Sequence, residues 1–115
     1  LSIKIYHNPR CSKSRQTLQL LEDNGAKPEI IEYLKAAPTK AELESILTLL
    51  GLSPRELMRK GESIYKELNL GNASLSYQQL LSAMLENPIL IERPIVLANG
   101  KAAIGRPPES VLDIL

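Results

Sequence analysis

The order in which the apolar pattern changes period is the tightest constraint on what this chain can fold into. Residues Ser2-Ile3-Lys4-Ile5-Tyr6 alternate polar and apolar, as a half-buried strand does. Thr17, Leu18, Leu20 and Leu21 then recur with helical spacing until Asn24-Gly25 stops the helix. Glu29 to Leu34 reads as a second strand, so the start of the chain is a right-handed β-α-β unit with parallel strands. From Pro38 the pattern is helical. Three capping boxes punctuate it: Thr39 with Glu42, Ser53 with Glu56 around a Pro54 at the first helical position, and Ser76 with Gln79. Gly51, Gly61 and Asn87-Pro88 supply the stops, giving a helical block spanning roughly 38–88. Pro94-Ile95-Val96-Leu97 and Ala102-Ala103-Ile104 flank Asn99-Gly100, the strongest two-residue hairpin signal. A last helix starts near Pro108, with Val111, Leu112, Ile114 and Leu115 on its apolar face.

The order β-α-β, helical block, β-β-α is that of an α/β chain with a thioredoxin-like fold and a helical insertion after its second strand. With 115 residues it is expected to be a single domain over 1–115, long enough to bury roughly two thirds of the surface of its unfolded chain. The 14 Lys and Arg nearly balance 13 Asp and Glu, Trp and Phe are absent, and the four Tyr are scattered, so nucleic-acid binding finds little support. No apolar stretch approaches the ~20 residues of a membrane helix, and the start lacks the basic-then-apolar pattern of an export signal. Leu1 is not an initiator residue, and residues are expected to precede it.

Cys11, the only cysteine, lies where the first strand gives way to the helix. Lone cysteines are usually inert core residues, but those sit inside apolar runs, whereas this one is surrounded by His7, Asn8, Pro9, Arg10, Ser12 and Lys13. Unpaired N–H groups at a helix N-terminus favour an anionic sulfur, and His7, Arg10, Lys13 and Arg15 add positive charge, so a nucleophilic thiolate is expected. Ser14 stands where a dithiol oxidoreductase carries its second cysteine. No disulfide can close within the chain, so any redox cycle must borrow an external thiol, by exchange with glutathione or a partner protein. The same count excludes a cysteine-based metal site and suggests a reducing, cytoplasmic compartment.

Three arginines complete the constellation. Arg93 precedes Pro94 and Arg106 precedes Pro107, so two Arg-Pro pairs with extended backbone flank the hairpin. Arg59 lies near the end of the helix that the Ser53–Glu56 box starts. The guanidinium fork suits tetrahedral oxyanions, and a helix N-terminus is itself an anion site.

The segments His7-Asn8-Pro9-Arg10-Cys11-Ser12-Lys13-Ser14-Arg15, Asn87-Pro88-Ile89-Leu90-Ile91-Glu92-Arg93-Pro94-Ile95-Val96 and Gly105-Arg106-Pro107-Pro108-Glu109 closely resemble the glutaredoxin-coupled arsenate reductase (ArsC) family. Leu57-Met58-Arg59-Lys60 extends the match into the insert. With its Val111 to Leu115 ending, the chain looks most like the short ArsC-like proteins of Gram-negative bacteria. The resemblance implies that Cys11 attacks arsenate, that Arg59, Arg93 and Arg106 bind the oxyanion, that His7 lowers the thiol pKa, and that Arg93-Pro94 is a cis peptide bond. It also implies glutathione as co-substrate with no bound cofactor, and glutaredoxin as the protein partner; a monomer is expected. Two other readings stay open. Spx-like regulators share the fold and bind RNA polymerase, but commonly use a C-x-x-C switch that Ser14 precludes. A glutathione-dependent thiol transferase shares C-x-x-S but needs a glutathione groove rather than an oxyanion pocket.

Overall fold

The opening alternation becomes strand β1 (Ile3–Tyr6) in a computed structural model that describes residues 2–115. Leu1, and the expectation that residues precede it, lies outside the described residues. Helix α1 (Ser12–Asp23) follows, then the short strand β2 (Glu29–Ile31), parallel to β1 as the β-α-β reading requires. Strands β3 (Ile95–Ala98) and β4 (Lys101–Ile104) complete a four-stranded sheet of order β2-β1-β3-β4, in which β1–β3 and β3–β4 are antiparallel. The fold is α/β and thioredoxin-like. A 3₁₀ segment, Pro108–Ile114, closes the chain.

The chain divides into two compact units. One runs to Ala36 and resumes at Arg93; the other, Ala37–Glu92, corresponds to the expected insert. In the first unit α1 turns Ser14, Thr17 and Leu21 inward, and Leu21 joins Ile5, Val96, Ala98, Val111 and Ile114 in one apolar core. Each large aliphatic side chain buried there contributes about 1.5–3 kcal/mol.

The hairpin turn fixes where the functional segments emerge. Ala98 pairs with Lys101, leaving Asn99 (φ 55°) and Gly100 (φ 71°) in the left-handed region, the two-residue turn that an Asn-Gly pair favours. With that register Ile95 lies opposite Ile104, and across β1 it lies opposite Tyr6. The residues after Tyr6, before Ile95 and after Ile104 therefore leave the same end of the sheet. Those residues are the Cys11 loop, Arg93-Pro94 and Gly105-Arg106.

Three sequence expectations need correction. Strand β2 stops at Ile31 rather than Leu34, because the N–H groups of Lys35 and Ala36 turn back onto the Glu32 carbonyl (2.9 and 3.1 Å) and Tyr33 is buried in that turn. The closing segment is 3₁₀ rather than α-helical, so residues three apart share a face: Pro108, Val111 and Ile114 are buried, while Leu112 and Leu115 stay exposed. Third, the Ser53–Glu56 box forms, with reciprocal bonds of 2.9 and 3.3 Å, yet it starts only one 3₁₀ turn, Arg55–Leu57. Tertiary pairing overrides the cap. Met58 adopts an extended backbone and bridges Ile91, the Arg59 N–H donates to the Leu90 carbonyl (2.7 Å), and the Glu92 N–H donates to the Leu57 carbonyl (2.9 Å). Arg59 thus follows the extended Met58, two residues past that single 3₁₀ turn, rather than closing a longer helix.

The second unit otherwise follows its punctuation. Helix α2 (Lys40–Leu50) starts at the Thr39–Glu42 box and ends at Gly51 in the left-handed region (φ 68°). After α3 (Ser63–Glu67), α4 (Tyr77–Glu86) starts at the Ser76–Gln79 box and packs against α2. A capping side chain is worth about 1 kcal/mol, so Thr39→Ala is expected to lower the urea midpoint by about that free energy with an unchanged slope.

Candidate functional site

The loop that presents the thiol is tied down by its own polar groups. Asn8, buried, does most of this: its carbonyl accepts the Cys11 N–H (3.0 Å), its Oδ1 accepts the Arg10 N–H (3.0 Å), and its own N–H donates to Ser14 Oγ (3.0 Å). Arg15 folds back so that Nη1 donates to the Pro9 carbonyl (2.9 Å). Cys11 is consequently the N-cap of α1, with an extended backbone (φ −92°, ψ 124°), as its place in the sequence implies. Its sulfur closes no short capping bond, but the Ser14 and Lys13 N–H groups of the first turn lie close enough to favour negative charge on it.

Two of the three arginines meet at that sulfur. Arg106 Nη2 donates to Cys11 Sγ at 3.4 Å while its Nε donates to the Arg93 carbonyl at 2.8 Å, and the Arg93 guanidinium also hydrogen-bonds the sulfur. Partial burial pushes the thiol up; the Ser14 N–H, the hydrogen bond and charge of Arg93, and the Lys13 N–H together outweigh it. Cys11 therefore titrates below the ordinary thiol range. Arg93-Pro94 is cis, as the resemblance implies, and Arg106-Pro107 is cis as well, which the sequence did not suggest. Arg59, in the second unit, is held by Glu62 (3.2 Å) and Glu92 (2.8 Å), whose hydrogen bonds raise its pKa against the effect of burial.

The sequence counts His7 among the cations around the thiol, and the structure corrects this. Its ring is buried, with Nδ1 2.7 Å from Ser14 Oγ. Burial lowers its pKa, with Arg15 acting in the same direction and Glu32 opposing, so at neutral pH it is an uncharged hydrogen-bond partner. Ser14 Oγ accepts from the Asn8 N–H and has its proton left for Nδ1, an arrangement satisfied when the neutral ring keeps its hydrogen on Nε2. His7 therefore bears on the thiol through Ser14, whose N–H faces the sulfur.

This has a consequence for stability. The unfolded chain binds a proton at His7 more readily than the folded one, so this group leaves stability unaffected above about pH 6.5 and lowers it as pH falls below that value. Since the chain has one histidine, His7→Gln is expected to flatten the thermal-unfolding profile between about pH 6.5 and 5, where the parent protein loses stability.

Sequence reasoning passed over Asn8, Thr17, Gly105 and the two glutamates on Arg59. The Asn8-Pro9 dipeptide is a turn signal and could have drawn attention to Asn8. The others act through contacts distant in sequence. Among the described residues, no three His, Cys, Asp or Glu side chains gather as a metal site, and no helix is long and apolar enough to cross a membrane.

With this geometry in hand, comparison with known proteins settles the family. The profile described as ArsC family matches residues 6–114. The chain belongs to the ArsC family. Among ArsC-related sequences, the uncharacterized protein YfgD of Escherichia coli (strain K12) is 60% identical over 98% of this chain and 96% of its own. The protein named arsenate reductase in Neisseria meningitidis (serogroup A, strain Z2491) is 53% identical over 98% and 97%. Among solved structures, the arsenate reductase from Vibrio cholerae superposes with a TM-score of 0.97 at 55% identity, covering 100% of this chain and 98% of that one.

Proposed function

We propose that this ArsC protein is a cytoplasmic arsenate reductase that uses Cys11 as its nucleophile and glutathione and glutaredoxin as thiol donors. The observation that carries the reading is the double arginine contact on one activated sulfur: Arg106 at 3.4 Å from Sγ, tied to the Arg93 carbonyl, and Arg93 on the same sulfur. Two guanidinium groups beside a thiolate suit an oxyanion substrate, and relatives about half identical over nearly their whole length are named arsenate reductases. The family resemblance adds Arg59 as a third oxyanion ligand, with His7, Ser14 and Arg15 supporting the loop that presents the sulfur.

In the first step the Cys11 thiolate forms a sulfur–arsenic(V) bond and an arsenate oxygen departs as water after taking up protons. Arg93, Arg106 and the first-turn N–H groups meet the charge that develops on the remaining oxygens. The thiolate of glutathione then attacks the Cys11 sulfur. The sulfur–arsenic bond pair passes to arsenic, which falls from the pentavalent to the trivalent state and leaves as arsenite. Cys11 is left in a mixed disulfide with glutathione, which a glutaredoxin thiol resolves by taking the glutathione and releasing the Cys11 thiolate. Two thiols supply the two electrons, so a second cysteine in this chain is not required.

A coupled assay tests the reading. NADPH oxidation in the presence of glutathione, glutathione reductase and glutaredoxin is expected to require arsenate and to yield arsenite in equal amount. Oxidation that this protein supports with a low-molecular-weight disulfide, in the absence of both arsenate and glutaredoxin, would instead identify a thiol transferase.

A further inference from the structure

Gly105 is the point where β4 ends and the segment carrying Arg106 begins, and it is wedged between two side chains. A Cβ at this buried position would overlap Thr17 Oγ1, lie 2.8 Å from Pro94 Cγ and 3.0 Å from Thr17 Cγ2. Its φ lies outside the left-handed region, so glycine is required here for close approach and not for backbone freedom. Thr17, fully buried on α1, donates from Oγ1 to the Lys13 carbonyl at 2.8 Å and makes a longer approach of 3.4 Å to the Gly105 carbonyl. The Gly105 N–H donates to the Pro94 carbonyl (2.9 Å) and the Arg106 N–H turns back to the Ile104 carbonyl (2.9 Å).

We propose that Thr17 and Gly105 are positioning residues, a clamp that seats the Ile104–Arg106 turn against α1 and thereby holds the Arg106 guanidinium on the Cys11 sulfur and the Arg93 carbonyl. The proposal rests on the reading of Arg106 as an oxyanion ligand. Arg106 is exposed, and its side chain is held toward the site by the bonds from Nε to the Arg93 carbonyl and from Nη2 to Sγ. Both depend on where the Arg106 backbone sits, one residue from the wedge. The turn cannot yield toward Pro94 or toward Thr17, so an added methyl group must lift it from α1. A shift of a few tenths of an ångström lengthens a sulfur contact that is already 3.4 Å, and hydrogen bonds weaken steeply with lost alignment. The effect is therefore felt at the sulfur and not only in stability.

The test reads the pH dependence of Cys11 alkylation by iodoacetamide, and the protection that inorganic sulfate gives against it, in Gly105→Ala, Thr17→Val, Arg106→Ala and the double variant Gly105→Ala/Arg106→Ala. Gly105→Ala is expected to raise the alkylation midpoint and to weaken sulfate protection, on the order of tenfold if the charged contact is lost. In the Arg106→Ala background the same change should add little, because its route to the sulfur is gone. Replacing Thr17 by Ala in the Gly105→Ala protein removes the two Thr17 overlaps but leaves the Pro94 contact, and should bring the midpoint only part of the way back to the parent value. Should Gly105→Ala fail to fold, Thr17→Val, which sets a methyl group against the Gly105 carbonyl, is expected to shift both readouts in the same direction. A folded Gly105→Ala protein, less heat-stable but with the parent's midpoint and sulfate protection, overturns the clamp. An Arg106→Ala protein that ionises and binds sulfate like the parent overturns it too, together with the oxyanion role of Arg106.

Discussion

Cys11→Ser is expected to reduce arsenate turnover to the uncatalysed background while leaving the folded state intact. The sulfur is the atom proposed to bond arsenic, and serine, whose hydroxyl stays protonated at neutral pH, cannot form the mixed disulfide that ends the cycle. Stability should change little, or rise slightly, since Cys11 is a half-buried N-cap without a short capping bond and serine is among the preferred residues at that position. The unchanged protein offers the complementary measurement. Its thiol is held below the ordinary range, so alkylation should remain fast well under pH 8, where a free thiol titrating near ~8.5 slows markedly. An alkylation midpoint at or above ~8.5 would remove the activated thiolate, and with it the proposed chemistry.

His7→Ala should move that midpoint upward by an indirect route. The neutral ring holds Ser14 Oγ, and Ser14 presents its N–H to the sulfur, so loss of the ring loosens the first turn rather than removing a charge. Direct charge attraction and indirect positioning can be separated by salt. A positioning effect persists at high ionic strength, where a long-range cation effect is screened.

The layout of the sheet was legible because local signals agreed with it. The periodicity of Ser2–Tyr6, the helical spacing of Thr17 to Leu21 and the Asn99-Gly100 turn each specify their element without reference to distant residues. The turn then fixes the register that brings Arg93 and Arg106 to the same end of the sheet as Cys11. The signal failed where a contact far along the chain decided the outcome. The Ser53–Glu56 box would propagate a helix in isolation, but pairing of the Leu57–Arg59 backbone with residues 90–92 draws the chain out after one turn. The charge state of His7 was hidden for a related reason. Flanking cations are visible in sequence, whereas burial of the ring and its bond to Ser14 exist only in the fold. Gly105 is the clearest case, since its neighbour Thr17 lies 88 positions away.

Arg93→Lys and Arg106→Lys should each lower kcat/KM for arsenate substantially, on the order of tenfold or more, though the charge is retained. Arg106 spans two acceptors at once, Sγ from Nη2 and the Arg93 carbonyl from Nε. A lysine ammonium at the end of a flexible stem cannot hold both in fixed directions, and it presents no fork to a tetrahedral anion. The loss should fall on kcat as well as KM, since charge on the oxygens grows as the sulfur–arsenic bond forms. Arg59→Lys is expected to follow the same pattern, and it further exchanges a guanidinium bridging Glu62 and Glu92 for a single ammonium. Arg55, also in the insert, would confound such a comparison, because its Nε and Nη2 donate to the Leu70 and Asn72 carbonyls (3.1 and 2.9 Å) and so brace the insert. Lys101, exposed on β4, serves instead, and Lys101→Ala should leave kcat/KM unchanged. Sulfate or phosphate should compete with arsenate and slow Cys11 alkylation, because a bound anion both covers the thiol and opposes its ionisation. Small, equal effects at Arg59, Arg93, Arg106 and Lys101 would mean that no oxyanion is held over the sulfur, and a protein-binding role would then explain the conformation of this loop better than catalysis does.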